Sequence, residues 1–220
     1  MSAHPGLMPE PSDEPVLWPQ TAARNTGGAL TIGGVDVATL AREFGTPVYI
    51  LDEQDFRSRA RAWRNAMPDG DVFYATKAFL CTTVARWMHE EGIGLDVSTG
   101  GELAVAIRAG VPGDRILFHG NNKSLSEIRR GIDYGVARFV CDSYEEIARV
   151  AHAATEAGVR QRVFIRVTPG VEAHTHEFIS TGQEDQKFGF SLASGAAIEA
   201  VRRILAEDSL ELVGVHCHIG

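Results

Sequence analysis

The feature that most constrains this chain is a rhythm that begins at Val72. Short apolar runs recur there, and four of the intervals between them are roughly 22 to 25 residues, the size of a compact βα unit, with a long insertion before the last run. The runs are Val72-Phe73-Tyr74-Ala75, Leu95-Asp96-Val97, Ile116-Leu117-Phe118, Phe139-Val140-Cys141, Val163-Phe164-Ile165-Arg166-Val167 and Leu210-Glu211-Leu212-Val213-Gly214-Val215. Between them lie segments of helical spacing. The first runs to His89 before a break at Gly92. The next three cover 102–108, 124–134 and 143–158, with Gly110, Gly135 and Gly158 at their ends, and the last covers 194–206. Short buried strands alternating with amphipathic helices imply a parallel sheet. A doubly wound sheet and a (β/α)8 barrel both fit. The count from Val72 is about six units, where a closed barrel needs eight.

Ahead of the rhythm the pattern is less regular. Several prolines and little periodicity predict a flexible tail to about Asn25. Ala29-Leu30-Thr31-Ile32, the turn signal Gly33-Gly34 and Val35-Asp36-Val37 predict a hairpin. Helical spacing follows over 37–44, stopping at Gly45, and Pro47-Val48-Tyr49-Ile50-Leu51 reads as a short apolar strand. Asp52 is placed to cap a helix running to about Met67, where Pro68-Asp69-Gly70 breaks it.

Composition narrows the class. A chain of 220 residues that is 44% hydrophobic and 23% charged is an ordinary globular protein. Its net charge of −8 argues against a dedicated nucleic-acid binder, whose footprint is a basic face. No apolar run approaches the roughly 18 residues of a membrane span. The opening MSAHPGLMPEPSDEPVLWP is not a secretory signal. Cys81, Cys141 and Cys217 form neither a CxxC pair nor a disulfide framework, which fits a reducing cytoplasm.

The residues that follow each strand carry the chemistry. Lys77 follows the first run, Asp96 ends the second, and His119-Gly120-Asn121-Asn122-Lys123 follows the third. Asp142 follows the fourth, Arg166 sits near the end of the fifth, and His216 and His218 follow the sixth. Such groups converge on the carboxyl-end face of a parallel sheet, where these folds place their sites. A lysine is most often a solvated surface residue. Between apolar segments at a barrel mouth, Lys77 is instead expected to be desolvated and to serve as a Schiff-base nucleophile.

Other groups stay open on the residues alone. On the strand period His216 and His218 share a face, as ligands of a metal, as a ring stacked on a flat cofactor, or as hydrogen-bonded strand-end residues. No matching carboxylate cluster supports the metal. Arg166 inside an apolar strand needs a partner, either a strand-end acid such as Asp96 or Asp142 or a ligand. His174 and His176 lie in a long polar loop, a lid or simply a solvated segment. Gly100-Gly101 could cradle a phosphate or only turn the chain, since the spacing of a nucleotide fingerprint is missing.

Several of these segments resemble one family. Tyr74-Ala75-Thr76-Lys77-Ala78 resembles the YAxKA motif of the fold-type III pyridoxal-phosphate decarboxylases, and Asp96-Val97-Ser98-Thr99-Gly100-Gly101-Glu102-Leu103 is similar to their D-V-x-S-x-G-E-L segment. His119-Gly120-Asn121-Asn122-Lys123-Ser124 resembles the HGNNK strand end of the diaminopimelate decarboxylases. The 170–177 loop, Gln186-Lys187-Phe188-Gly189 and His216-Cys217-His218-Ile219-Gly220 also resemble that group. The resemblance covers nearly all the chain from about Ala29.

It implies a (β/α)8 barrel of the alanine-racemase type, incomplete here at about six strands. Residues 1–28 would be a flexible tail. Residues 29–50 would contribute to a β-rich second domain and a lead-in helix, and residues 51–220 would form a partial pyridoxal-phosphate-binding barrel. Lys77 would be the Schiff-base and catalytic lysine and His218 would stack on the pyridine ring. Asp96, His119, Arg166 and Gly220 would line or brace the cofactor pocket, with no metal. The implied reaction is decarboxylation of meso-diaminopimelate to L-lysine in the cytoplasm, by a homodimer when full length, with no nucleic-acid or membrane partner. The family's serine after HxHIG, phosphate loop, pyridine-nitrogen acid, substrate arginines and cysteine acid would lie beyond Gly220. The 220 residues are therefore expected to be the N-terminal portion of the enzyme and inactive alone. The alternatives are a decarboxylase of ornithine or arginine on the same fold, a racemase, a non-catalytic pyridoxal-phosphate carrier, or a gene product without function.

Overall fold

The computed structural model describes residues 18–170 and 188–218. The chain divides into two compact units, residues 1–59 and 60–220.

In the first unit β1 (Ala23–Arg24), β2 (Leu30–Ile32) and β3 (Val35–Asp36) form an antiparallel sheet in that order. The expected hairpin is present, turning at Gly33-Gly34. Ala23 and Arg24, which the sequence places in the tail, are paired with Thr31 and Leu30. The cause is a turn the sequence reading passed over. The Asn25 side chain accepts from the Gly27 and Ala29 N–H groups and folds β1 back onto β2. α1 (Val37–Phe44) follows, capped by the Asp36 carboxylate, which accepts from the Ala38 and Thr39 N–H groups. Pro47-Val48-Tyr49-Ile50-Leu51 is not a strand. An apolar run needs a neighbouring ladder, and here Tyr49 is 99% exposed with Val48 and Leu51 also in solvent. α2 (Glu53–Ala66) begins as expected after Asp52, whose Oδ1 accepts from Asp55 N at 3.1 Å.

The second unit carries the rhythm. Its strands are β4 (Phe73–Ala75), β5 (Gly94–Val97), β6 (Ile116–Phe118), β7 (Arg138–Cys141), β8 (Gln161–Thr168), β9 (Phe190–Ser191) and β10 (Leu210–His216). Among the described residues the parallel sheet runs β10-β8-β7-β6-β5-β4, and β9 pairs with the far end of β8. The six expected strands are all present, each within a residue or two of its expected bounds. The helices are α3 (Thr82–Glu90), α4 (Gly100–Ala109), α5 (Leu125–Tyr134), α6 (Tyr144–Ala157) and α7 (Ala196–Leu205).

Alternation divides the sheet into two faces. Leu95, Val97, Ile116, Phe118, Phe139, Val163 and Ile165 are buried, as are the helix stripes Leu103/Ala106, Ile128/Ile132, Ile147/Val150 and Ala200/Ile204. The opposite face carries the polar residues. Ala75 is in register with Asp96, Asp96 with Leu117, and Arg166 with His216. The helix starts are fixed locally. Thr99 with Glu102, and Ser124 with Glu127, form reciprocal capping boxes, and Gly110, Gly135 and Gly158 close the helices in the left-handed conformation.

Candidate active site

The carboxyl ends of the strands bring four of the expected residues together. His119 follows β6, and its N–H donates to Val97 O at 2.7 Å. Its Nδ1 lies 3.6 Å from Asp96 Oδ2. The His216 ring meets the His119 ring edge-on with centroids 4.5 Å apart, and the His218 ring is tilted at 6.3 Å. Both histidines of the His-Cys-His run thus stand beside His119, while Cys217 is exposed.

Burial decides the charge of His216. The His216 imidazole is lowered to about 4, first by burial and then by His119 and Arg166, so it is neutral at neutral pH. Asp96 Oδ1, His119 Nε2 and His216 Nδ1 are buried and without a hydrogen-bond partner among the described residues. Buried polar atoms are nearly always satisfied. Three such atoms on neighbouring side chains form a polar surface that water or a polar ligand can satisfy.

Arg166 has found its partner in Asp142 rather than Asp96, with Nη1 3.4 Å from Asp142 Oδ1 and both side chains buried. Burial lowers the guanidinium pKa, and Asp142 opposes that. The same guanidinium lies over the Phe188 ring at 4.6 Å. Asp142 Oδ2 accepts from Gly189 N at 2.9 Å. Gly189 has φ +74, and a Cβ there would stand 2.8 Å from Arg166 O. Only glycine fits both demands.

Lys77 differs from expectation. It occupies a turn two residues beyond β4 and is exposed, not desolvated. β4 is the end strand of the sheet among the described residues, so only β5 flanks it. The turn is anchored by Thr76, whose N–H and Oγ1 both donate to Asp96 O, at 3.0 and 2.8 Å. The lysine is thus tied to the strand that carries Asp96 while its amine meets water.

The Gly100-Gly101 turn is not an open phosphate cradle. Gly100 N donates to Glu127 Oε1 at 2.6 Å, and Ser98 N and Thr99 N donate to Glu102 Oε2. The Ser124 N–H, the Ser124 hydroxyl and the Gly100 N–H hold the Glu127 carboxyl below its ordinary range, against burial. Carboxylates already fill the place an anion would take. Sequence reading missed Glu127, although Ser124-x-x-Glu127 is a legible capping box.

It also missed Glu146, which pairs with Lys123 at 3.0 Å deep in the unit. His174, His176, Gln186, Lys187, Ile219 and Gly220 lie outside the described residues.

With this geometry in hand, comparison with known proteins defines the class. The family model for the pyridoxal-dependent decarboxylase, pyridoxal binding domain, matches residues 53–220, and the chain belongs to that family. Among particular relatives, it is 56% identical over 207 residues to the diaminopimelate decarboxylase of Mycobacterium tuberculosis, covering 94% of this chain and 46% of that one. It is 45% identical over 204 residues to the diaminopimelate decarboxylase of Bacillus subtilis, covering 91% and 46%. The chain spans about half the length of the curated relatives it matches. Among solved structures, the diaminopimelate decarboxylase of M. jannaschii in co-complex with L-lysine superposes with a TM-score of 0.80 at 35% identity, covering 92% of this chain and 48% of that one. The Helicobacter pylori enzyme complexed with L-lysine gives 0.77 at 29%, covering 84% and 47%. These matches agree with an incomplete α/β barrel. No helix among the described residues is long and apolar enough to cross a membrane.

Proposed function

We propose that this chain supplies the cofactor-lysine portion of a pyridoxal-phosphate-dependent decarboxylase that converts meso-diaminopimelate to L-lysine and carbon dioxide. The observation that carries the reading is the contrast among its lysines. The chain has three, at 77, 123 and 187. Lys123 is 1% exposed and its ammonium is fully engaged, whereas Lys77 stands exposed on a turn tied to Asp96. A lysine that must exchange bonds with a carbonyl carbon needs an accessible amine, and Lys77 has one.

The residues present fit the cofactor. The unpartnered atoms of Asp96, His119 and His216 offer both hydrogen-bond acceptors and donors toward its polar groups. Pyridoxal phosphate, when bound, supplies an electron sink for the bond that loses carbon dioxide. Lys77 would hold it covalently, His218 would pack against its ring, and Asp96, His119 and Gly220 would line it. His216, neutral at neutral pH, adds no charge to that surface. Arg166, balanced by Asp142 and stacked on Phe188, braces the wall. The L-lysine complexes of the solved relatives support the substrate class. A soluble cytoplasmic homodimer is the assembly this reading carries.

The test is turnover. The chain, expressed with whatever sequence follows it in its gene, is given pyridoxal phosphate and meso-diaminopimelate, and L-lysine and carbon dioxide are measured. Production that is lost in Lys77→Ala supports the reading. Equal production by that variant, or none with diaminopimelate but turnover of ornithine, overturns it.

A further inference from the structure

We propose that Lys123 and Glu146 are a positioning pair, a buried ion pair that sets His119 and Asp142 in place and thereby shapes the polar face of the site. Both side chains are almost wholly buried. Lys123 Nζ donates to Gly120 O at 2.6 Å and Val140 O at 2.8 Å, and lies 3.0 Å from Glu146 Oε2. An ammonium has three N–H groups, and each has a partner. Glu146 Oε2 also accepts from Asp142 N at 2.8 Å, and Oε1 from Lys123 N at 3.4 Å. One pair therefore reaches two loops, the one after β6 and the one after β7.

Each loop hands a fixed geometry onward. On one side Gly120 has φ +98, and a Cβ there would stand 2.7 Å from Ser98 O. Its carbonyl is held by Lys123, so the backbone is pinned from two directions immediately after His119. On the other side Asp142 is held through its own N–H by Glu146, and its carboxylate holds Arg166 and Gly189 N. Neither Lys123 nor Glu146 carries an unpartnered side-chain atom. They act through His119 and Asp142.

Stability alone is a poor reason for such a pair. Apolar residues of similar volume are often as stabilising as a buried ion pair. What the charges add is direction, because three N–H bonds and two carboxylate oxygens fix where Gly120 O, Val140 O and Asp142 N lie. Supporting residues of this kind hold functional groups within the fraction of an ångström that binding requires.

The functional readout rests on the proposed cofactor role of the His119 face, and the structural readout does not. In the full chain, Lys123→Met with Glu146→Gln removes both charges at nearly constant volume. Three quantities are compared with the parent: melting temperature, amide exchange at His119, Gly120 and Asp142, and the Kd for pyridoxal phosphate. The expected result is a melting temperature lowered by less than in Lys123→Met alone, exchange at those amides faster by about tenfold or more, and a Kd raised on the order of tenfold. A folded double variant with parental exchange and parental Kd overturns the proposal. If that variant does not fold, Lys123→Arg carries the test. It keeps the charge but cannot place its donors on the same carbonyls, so faster exchange supports the proposal and parental exchange overturns it. If the parent takes up no pyridoxal phosphate, the proposed function fails, while the exchange measurement still decides the positioning role.

Discussion

The loops after β6 and β7 bury their charges in a closed set of partners, whereas the turn after β4 leaves its lysine in water. Lys123, Glu146, Asp142 and Arg166 are all buried and all paired. Lys77 is exposed, and the turn beneath it is fastened by the Thr76 N–H and hydroxyl to Asp96 O. Two lysines of one chain therefore stand in opposite surroundings. One is locked among buried partners, as the proposed positioning role requires. The other keeps an open amine on a fixed base, which suits the covalent role proposed for it.

Substitutions can break or sharpen that contrast. The largest effect is expected from Lys123→Met alone, which strands the buried Glu146 carboxylate. A loss of about 3–5 kcal/mol is expected by urea unfolding, because removing one partner of a buried pair leaves an uncompensated charge. Burial already pushes the Glu146 carboxyl up while Lys123 and the N–H groups of Asp142 and Lys123 hold it down. A loss below about 1 kcal/mol, the range of exposed pairs, would show that the pair is solvated in practice.

Gly120→Ala comes next. Its positive φ and the nearby Ser98 carbonyl predict a loss of about 1–3 kcal/mol, with the His119 environment changed in the same variant. A neutral outcome would mean the backbone relaxes without cost.

A smaller effect lies in the pH dependence. His216 falls from its ordinary 6.5 to about 4 in the fold. Below 6.5 the unfolded chain takes up the proton more readily than the folded one, so the stability His216 contributes is present above 6.5 and is lost as pH falls toward 4. Thermal melts between those limits should steepen this loss in the parent and flatten in His216→Phe. Identical profiles would place the acid sensitivity elsewhere.

Lys77→Met should do least to the fold. Its exposed side chain predicts a change within about 0.5 kcal/mol. A large loss would put Lys77 on the buried side of the contrast.

Much of the fold was legible because each β and α segment carries its own punctuation. Glycines at 110, 135 and 158 close three helices, and strand alternation places Asp96, Arg166 and His216 on one face. The convergence of Asp96 and His119 followed from that alternation. The locking residues did not. Glu146 reads as one more acid in the first turn of an amphipathic helix, and nothing in its local sequence says it is buried against Lys123. The bond from Gly189 to Asp142 joins residues far apart in the chain, and only packing brings them together. The exposure of Lys77 was misjudged because local apolar neighbours were read as cover. Cover depends on which strand lies beside β4.

The central claim is that Lys77 is the lysine that takes the cofactor. The most direct measurement is borohydride reduction of the chain mixed with pyridoxal phosphate, followed by peptide mass mapping. A pyridoxyl group fixed at Lys77, and absent from Lys77→Met, is the predicted result. A label at Lys123 or Lys187 with Lys77 unmodified would contradict the account.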